Sequence, residues 1–157
     1  MEKIDYKYQY YKLFDYLEDF YNVKIQQTPF ASDAWYPCLN LIKINSNLKF
    51  KERFFTLLHE SGHVIIDSDI RHKYSAICFN KNVPDSVRSK TSYVHNLNEE
   101  ILAWNYGKSL ANTLMLEYEE EKLESYMTDC IMSYVKSGLN SLYGKTVDVG
   151  AIHIKYV

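Results

Sequence analysis

Aromatic and aliphatic side chains recur at helical spacing at Tyr6, Tyr10, Leu13, Leu17 and Phe20, which predicts an amphipathic helix over residues 5–22. Its opposite face carries Lys7, Lys12, Asp15, Glu18 and Asp19. That mixture of signs suits a helix packed on its own protein rather than on a membrane surface. Thr28-Pro29, Asp33 and Tyr36-Pro37 then punctuate a loop-like stretch. Leu39, Leu41, Ile42 and Ile44 predict a short strand ending in Asn45-Ser46-Asn47. From about Leu48 to Ile66, Phe54, Phe55, Leu57, Leu58, Val64 and Ile65 cover most of a helical circumference. Such a helix belongs in the interior. Asp67-Ser68-Asp69 reads as its end.

Residues 67–97 have no clear period and are expected to form an irregular excursion beside the molecule's cleft, with a short strand at Tyr74–Phe79. The 3.6 period returns at Ile101, Leu102, Tyr106 and Leu110, predicting a helix from Asn98 to Glu117. Leu123, Met127, Ile131, Tyr134 and Val135 predict another from Glu119 to Ser137, with Lys136 and Gly138 as its stop signal. Val147, Val149, Ile152 and Ile154 suggest a closing strand. No repeat or low-complexity linker interrupts the chain, so residues 1–157 are expected to form a single α+β domain: a small sheet packed on the apolar helix, with several further helices.

Composition narrows the function classes. At 157 residues the chain can bury a real core, and its 46% hydrophobic and 24% charged content is ordinary for a globular protein. A formal charge of −2 gives no general attraction to nucleic acid. No apolar run is long enough to span a bilayer, and the polar start, Met1-Glu2-Lys3-Ile4-Asp5, is unlike a signal peptide. Cys38, Cys78 and Cys130 are odd in number and lack a C-x-x-C pattern, which points to reduced thiols and a cytoplasmic setting. Fifteen Tyr make for an interior and surface rich in amphipathic rings without naming a function.

The buried helix carries the chemistry. His59-Glu60-Ser61-Gly62-His63 reads H-E-x-x-H. Residues four apart on a helix differ by only about 40° around the axis, so both imidazoles leave one face. Two such nitrogens can hold one Zn²⁺ at roughly 2.0–2.1 Å. Glu60 lies about 100° round, beside the metal rather than on it, where it could act as general base. A solvated turn carrying two His by chance is the plainer alternative. Against it, buried His and Glu are costly unless paired or metal-bound. Gly62 inside a helix costs about 1 kcal/mol relative to Ala, which suggests close approach by another segment. In a zinc peptidase the strand at 39–45 would border the cleft as an edge that receives an extended substrate.

Three protein ligands and a fourth, open position characterise catalytic zinc. A metzincin-type continuation would need Gly at position 66 and a ligand at 69; the chain has Ile66 and Asp69. His72 and His95 fit no spacing rule. A Glu on the following helix fits better, as in His₂Glu sites. Glu100 shares a helical stripe with Ala103 and Gly107, small residues suited to contact with Gly62, whereas Glu99 is rotated about 100° away and reads as a solvated first-turn charge. Tyr74, Tyr93, His72 and His95 are unranked candidates for stabilising an oxyanion.

The pair of motifs His59-Glu60-Ser61-Gly62-His63 and Glu100-x-x-Ala103-Trp104-x-x-Gly107 resembles the ImmA/IrrE family of zinc metallopeptidases, over roughly residues 35–115. The resemblance implies a zincin-like α+β fold, with His59, His63 and Glu100 as Zn²⁺ ligands and Glu60 as general base. It further implies cleavage of a cytosolic protein, typically a transcriptional repressor in a bacterial, phage or mobile-element setting. Ser61 replaces a common apolar residue, the segment between the motifs is long, and no helix-turn-helix or sensor domain accompanies them. Two other classes compete: a protein-binding or inhibitory module on the same fold, and a structural zinc closed by His72, His95 or Cys78 as fourth ligand.

Overall fold

The computed structural model describes residues 3–69 and 85–143, the side chains of 69, 85–89 and 143 excepted. The predicted strands at 74–79 and 147–156 lie outside the described residues. Asp5 starts the first helix, α1 (Tyr6–Tyr21), its carboxylate accepting from the backbone amides of Lys7 and Tyr8 at 3.0 and 3.1 Å. This is an N-cap, satisfying two donors that the helix cannot satisfy itself. Asn22 closes α1 in the left-handed region at φ 54°. Tyr10, Leu13 and Leu17 are fully buried as the period requires, but Phe20 is 68% exposed, its ring stacked on Tyr16.

Three short strands follow: β1 (Lys24–Thr28), β2 (Ala34–Tyr36) and β3 (Leu41–Asn45). They form one mixed sheet in the order β1-β3-β2, with β1 parallel and β2 antiparallel to β3. The predicted strand therefore exists, but it is the centre of the sheet and not a substrate-receiving edge. Ile42 and Ile44 point into the core and are fully buried. The edge facing the cleft belongs to β2, hidden in the sequence because three residues beside Pro37 read as loop.

α2 (Phe50–Asp69) is the H-E-x-x-H helix, and it continues through Asp67-Ser68-Asp69 rather than ending there. It packs on α1, on the sheet and, most extensively, on α3 (Asp85–Thr113). Arg53 ties its first turns to the sheet. The guanidinium donates to the Gln27 side chain at 3.1 Å and the Leu48 carbonyl at 2.8 Å, and lies over the Phe50 ring.

α3 starts thirteen residues ahead of the predicted Asn98, so much of the expected excursion is helix. The advance rolls over a half-exposed surface, which leaves no apolar period to read. α4 (Glu120–Tyr143) runs straight through Gly138. That glycine is a contact point instead of a stop: a Cβ there would sit 1.7 Å from the Tyr93 ring of α3. At the other end of the helix pair, Lys108 of α3 bridges Glu120 and Glu124 of α4. Among the described residues, four helices and a three-stranded sheet thus share one core, an α+β arrangement with α2 at its centre. Among the described residues no helix is long and apolar enough to cross a membrane.

Candidate metal centre

Gly62 and Gly107 bring the two site-bearing helices together. A Cβ at Gly62 would fall 1.8 Å from the Ala103 carbonyl oxygen, and one at Gly107 would fall 2.2 Å from that of Leu58. Only hydrogen fits at either position. The backbones of α2 and α3 therefore touch, and a side chain of α3 can reach across one turn of α2. Glu100 does so. Its Oε2 lies 3.0 Å from His59 Nε2, and its Oε1 lies 3.6 Å from His63 Nε2. The two His Nε2 atoms are 3.2 Å apart.

These separations suit a shared cation. Two donors bound tetrahedrally at roughly 2.0–2.1 Å from one ion stand about 3.3 Å apart. Glu100 Oε2 is buried and, despite its nearness to His59, has no aligned hydrogen-bond partner; His59 Nδ1 is also buried without one. Facing ring nitrogens and an unsatisfied carboxylate oxygen are costly in the interior unless a positive charge lies between them. Among the described residues, His59, His63 and Glu100 are the group of ligating atoms close enough to hold one metal ion. The donor set is borderline-soft nitrogen plus one carboxylate, which fits Zn²⁺.

Without a cation, a proton does part of this work. Burial alone would depress the His63 pKa, but the Glu100 and Glu99 carboxylates beside its ring outweigh that and push it up to about 10. Burial likewise would raise Glu100, and the His59 and His63 rings beside it instead pull it down to about 2. A cation entering the site must displace the imidazolium proton.

Glu60 is 5% exposed and lines the same cavity without belonging to the ligand trio. Burial raises its pKa, opposed by the two His rings and by a hydrogen bond from the Trp35 backbone amide of β2. A raised carboxyl pKa is what a proton-accepting group working near neutral pH requires. The cavity measures about 230 Å³ and is walled by β2 residues on one side and α3 and α4 on the other.

Four neighbours escaped the sequence reading. Glu99 is no solvated first-turn charge: it stands mid-helix, with Oε1 3.6 Å from His63 Nδ1. A carboxylate behind a ligating imidazole holds its tautomer and orientation. Trp104, 2% exposed, stacks on the His59 ring at 4.5 Å. Trp35 lends its amide to Glu60 and its indole N–H to Asp67. Tyr134 of α4 lines the cavity with Glu100; burial, then that carboxylate's charge, raise its phenol pKa. One signal was legible for Tyr134: Tyr126, Cys130, Tyr134 and Gly138 repeat every four residues, a single stripe of α4.

Other candidates fall elsewhere. Tyr93 donates to the Val135 carbonyl at 3.2 Å and lines a different cavity. His95 is on α3 outside the ligand group. His72, Tyr74 and Cys78, and the side chain of Asp69, lie outside the described residues. Cys38 and Cys130 are free thiols. No protein-family model matches this chain, and neither a curated protein nor a solved structure matches it.

Proposed function

We propose that the protein is a zinc-dependent endopeptidase of the ImmA/IrrE type with a zincin-like fold, acting on a protein in the cytoplasm, with a transcriptional repressor as the first substrate to test. One observation carries the reading: two imidazoles and a carboxylate from touching helices stand 3.0–3.6 Å apart, close enough to share one ion, with a buried glutamate beside them in an open cavity. Zn²⁺ held by His59, His63 and Glu100 would supply the Lewis acidity that polarises a peptide carbonyl and acidifies an attacking water.

The chain's own groups account for the remaining steps. Glu60, steadied by the Trp35 amide, takes the proton of the attacking water and returns it to the leaving amine. Tyr134 is the phenol lining the cavity, and its hydroxyl donates to the carbonyl oxygen as negative charge develops there. Glu99 orients His63 from behind. β2 is paired on one side only among the described residues, so an extended substrate can lie along its other edge through main-chain hydrogen bonds.

The test is to incubate zinc-loaded protein with a bacterial lysate and to map newly formed protein N-termini by mass spectrometry. Wild type is expected to generate a small set of them, and Glu60→Gln to bind zinc equally and generate none. An active Glu60→Gln variant would falsify the role given to Glu60. Should zinc-loaded wild type cut nothing yet retain a specific protein, the binding-module alternative replaces the peptidase.

A further inference from the structure

A second cavity, of about 330 Å³, opens between the first half of α3 and the last half of α4. Tyr134 lines both this cavity and the metal cavity, so the two share a wall residue. The second cavity's walls include Tyr93, Leu97 and Leu142, with Ser92, Asn96 and Ser141 at intervals, and none of the described residues lining it is charged. The metal cavity, by contrast, has Asp33, Glu60, Glu99 and Glu100 in its lining.

Gly138 shapes the space. The Tyr93 ring lies where a side chain at 138 would be, and the Tyr93 hydroxyl is anchored to the Val135 carbonyl. The ring is thereby fixed against α4 as one wall of the cavity. The volume is at the lower end of the roughly 300–1,000 Å³ typical of small-ligand sites, room for one ring or branched aliphatic group and little more.

We propose that this cavity receives the substrate side chain next to the scissile bond and selects a large apolar or aromatic one. The inference rests on the peptidase reading, which supplies a chain passing over the metal and across Tyr134. A charged side chain would surrender its hydration here and find no counter-charge. An apolar one gains by leaving water.

The probes are succinyl hydroxamates that differ only in the side chain beside the zinc-binding group: methyl, isobutyl, benzyl or carboxymethyl. Their affinities for the zinc-loaded protein are measured by calorimetry. Isobutyl and benzyl compounds are expected to bind about tenfold or more tighter than the other two, the gain from burying a side chain of that size. Ser141→Trp, a substitution at an exposed position of α4 that would fill the cavity, is expected to remove that preference and leave the methyl compound's affinity unchanged. Equal affinity for all four overturns the proposal and leaves the peptidase reading standing. A protein that binds zinc but none of the hydroxamates has no open metal position, and both readings then fail.

Discussion

At His63 two carboxylates meet one ring from opposite sides: Glu100 at Nε2 and Glu99 at Nδ1, each at 3.6 Å. Their nearly equal distances conceal different jobs. Glu100 also reaches His59 and keeps a buried oxygen unsatisfied, whereas Glu99 is a third exposed and meets His63 on the far side of its ring. Removing an outer-shell partner typically costs 10–100-fold in metal affinity. Glu99→Ala should therefore weaken zinc binding by about that factor, and Glu100→Ala by more, because it deletes a ligand outright. Competition titration with a chromogenic chelator measures both. If Glu99→Ala proves the more damaging, the two roles are exchanged. Sequence reasoning found Glu100 because it shares a stripe with Ala103 and Gly107. It misjudged Glu99 because the true helix start lies in a polar stretch, and a residue's distance from a helix end cannot be known before that end is.

Among the elements, the contact between α2 and α3 decides whether a site exists. Gly62 and Gly107 form a reciprocal pair, each pressed on a carbonyl of the other helix at 1.8 and 2.2 Å from an ideal Cβ. In an isolated helix, Gly→Ala would stabilise by about 1 kcal/mol. Here the new methyl meets backbone, which cannot rotate away, and overpacking of this kind costs about 1–3 kcal/mol or more. Gly62→Ala and Gly107→Ala are thus expected to lower the denaturant midpoint and to weaken zinc binding together, since parting the helices withdraws Glu100 from both His. A Gly62→Ala protein of unchanged midpoint and zinc affinity would contradict the close approach. The hydrophobic period could locate each helix and suggest the small residues as a contact. It could not supply β2, whose three residues owe their strand state to pairing with β3, nor the continuation of α4 through Gly138, which Tyr93 of another helix accounts for.

For the molecule as a whole, the site is a seam where four elements meet. The candidate ligands come from α2 and α3, and β2 and α4 wall the cavity. An ion that binds only the folded chain adds stability by mass action, about 2.7 kcal/mol at a hundredfold excess over its dissociation constant. For a domain of about 150–250 residues each kcal/mol is worth roughly 2–4 °C, so zinc is expected to raise the melting temperature by about 5–10 °C and a chelator to reverse the rise. A calorimetric scan insensitive to zinc would remove the metal from the account. What the sequence determined alone was what depends on neighbours along the chain: the apolar face of α2, one helical turn between His59 and His63, and the offset of Glu60. Those follow from the fixed pitch of a helix. Only the tertiary structure decided that β3 is central, that Glu99 backs His63, that Trp104 lies on His59, and that Tyr134 borders two cavities. Such pairings join residues far apart in the chain, and which of them form is settled when the whole core packs, by which backbones can touch and which cannot.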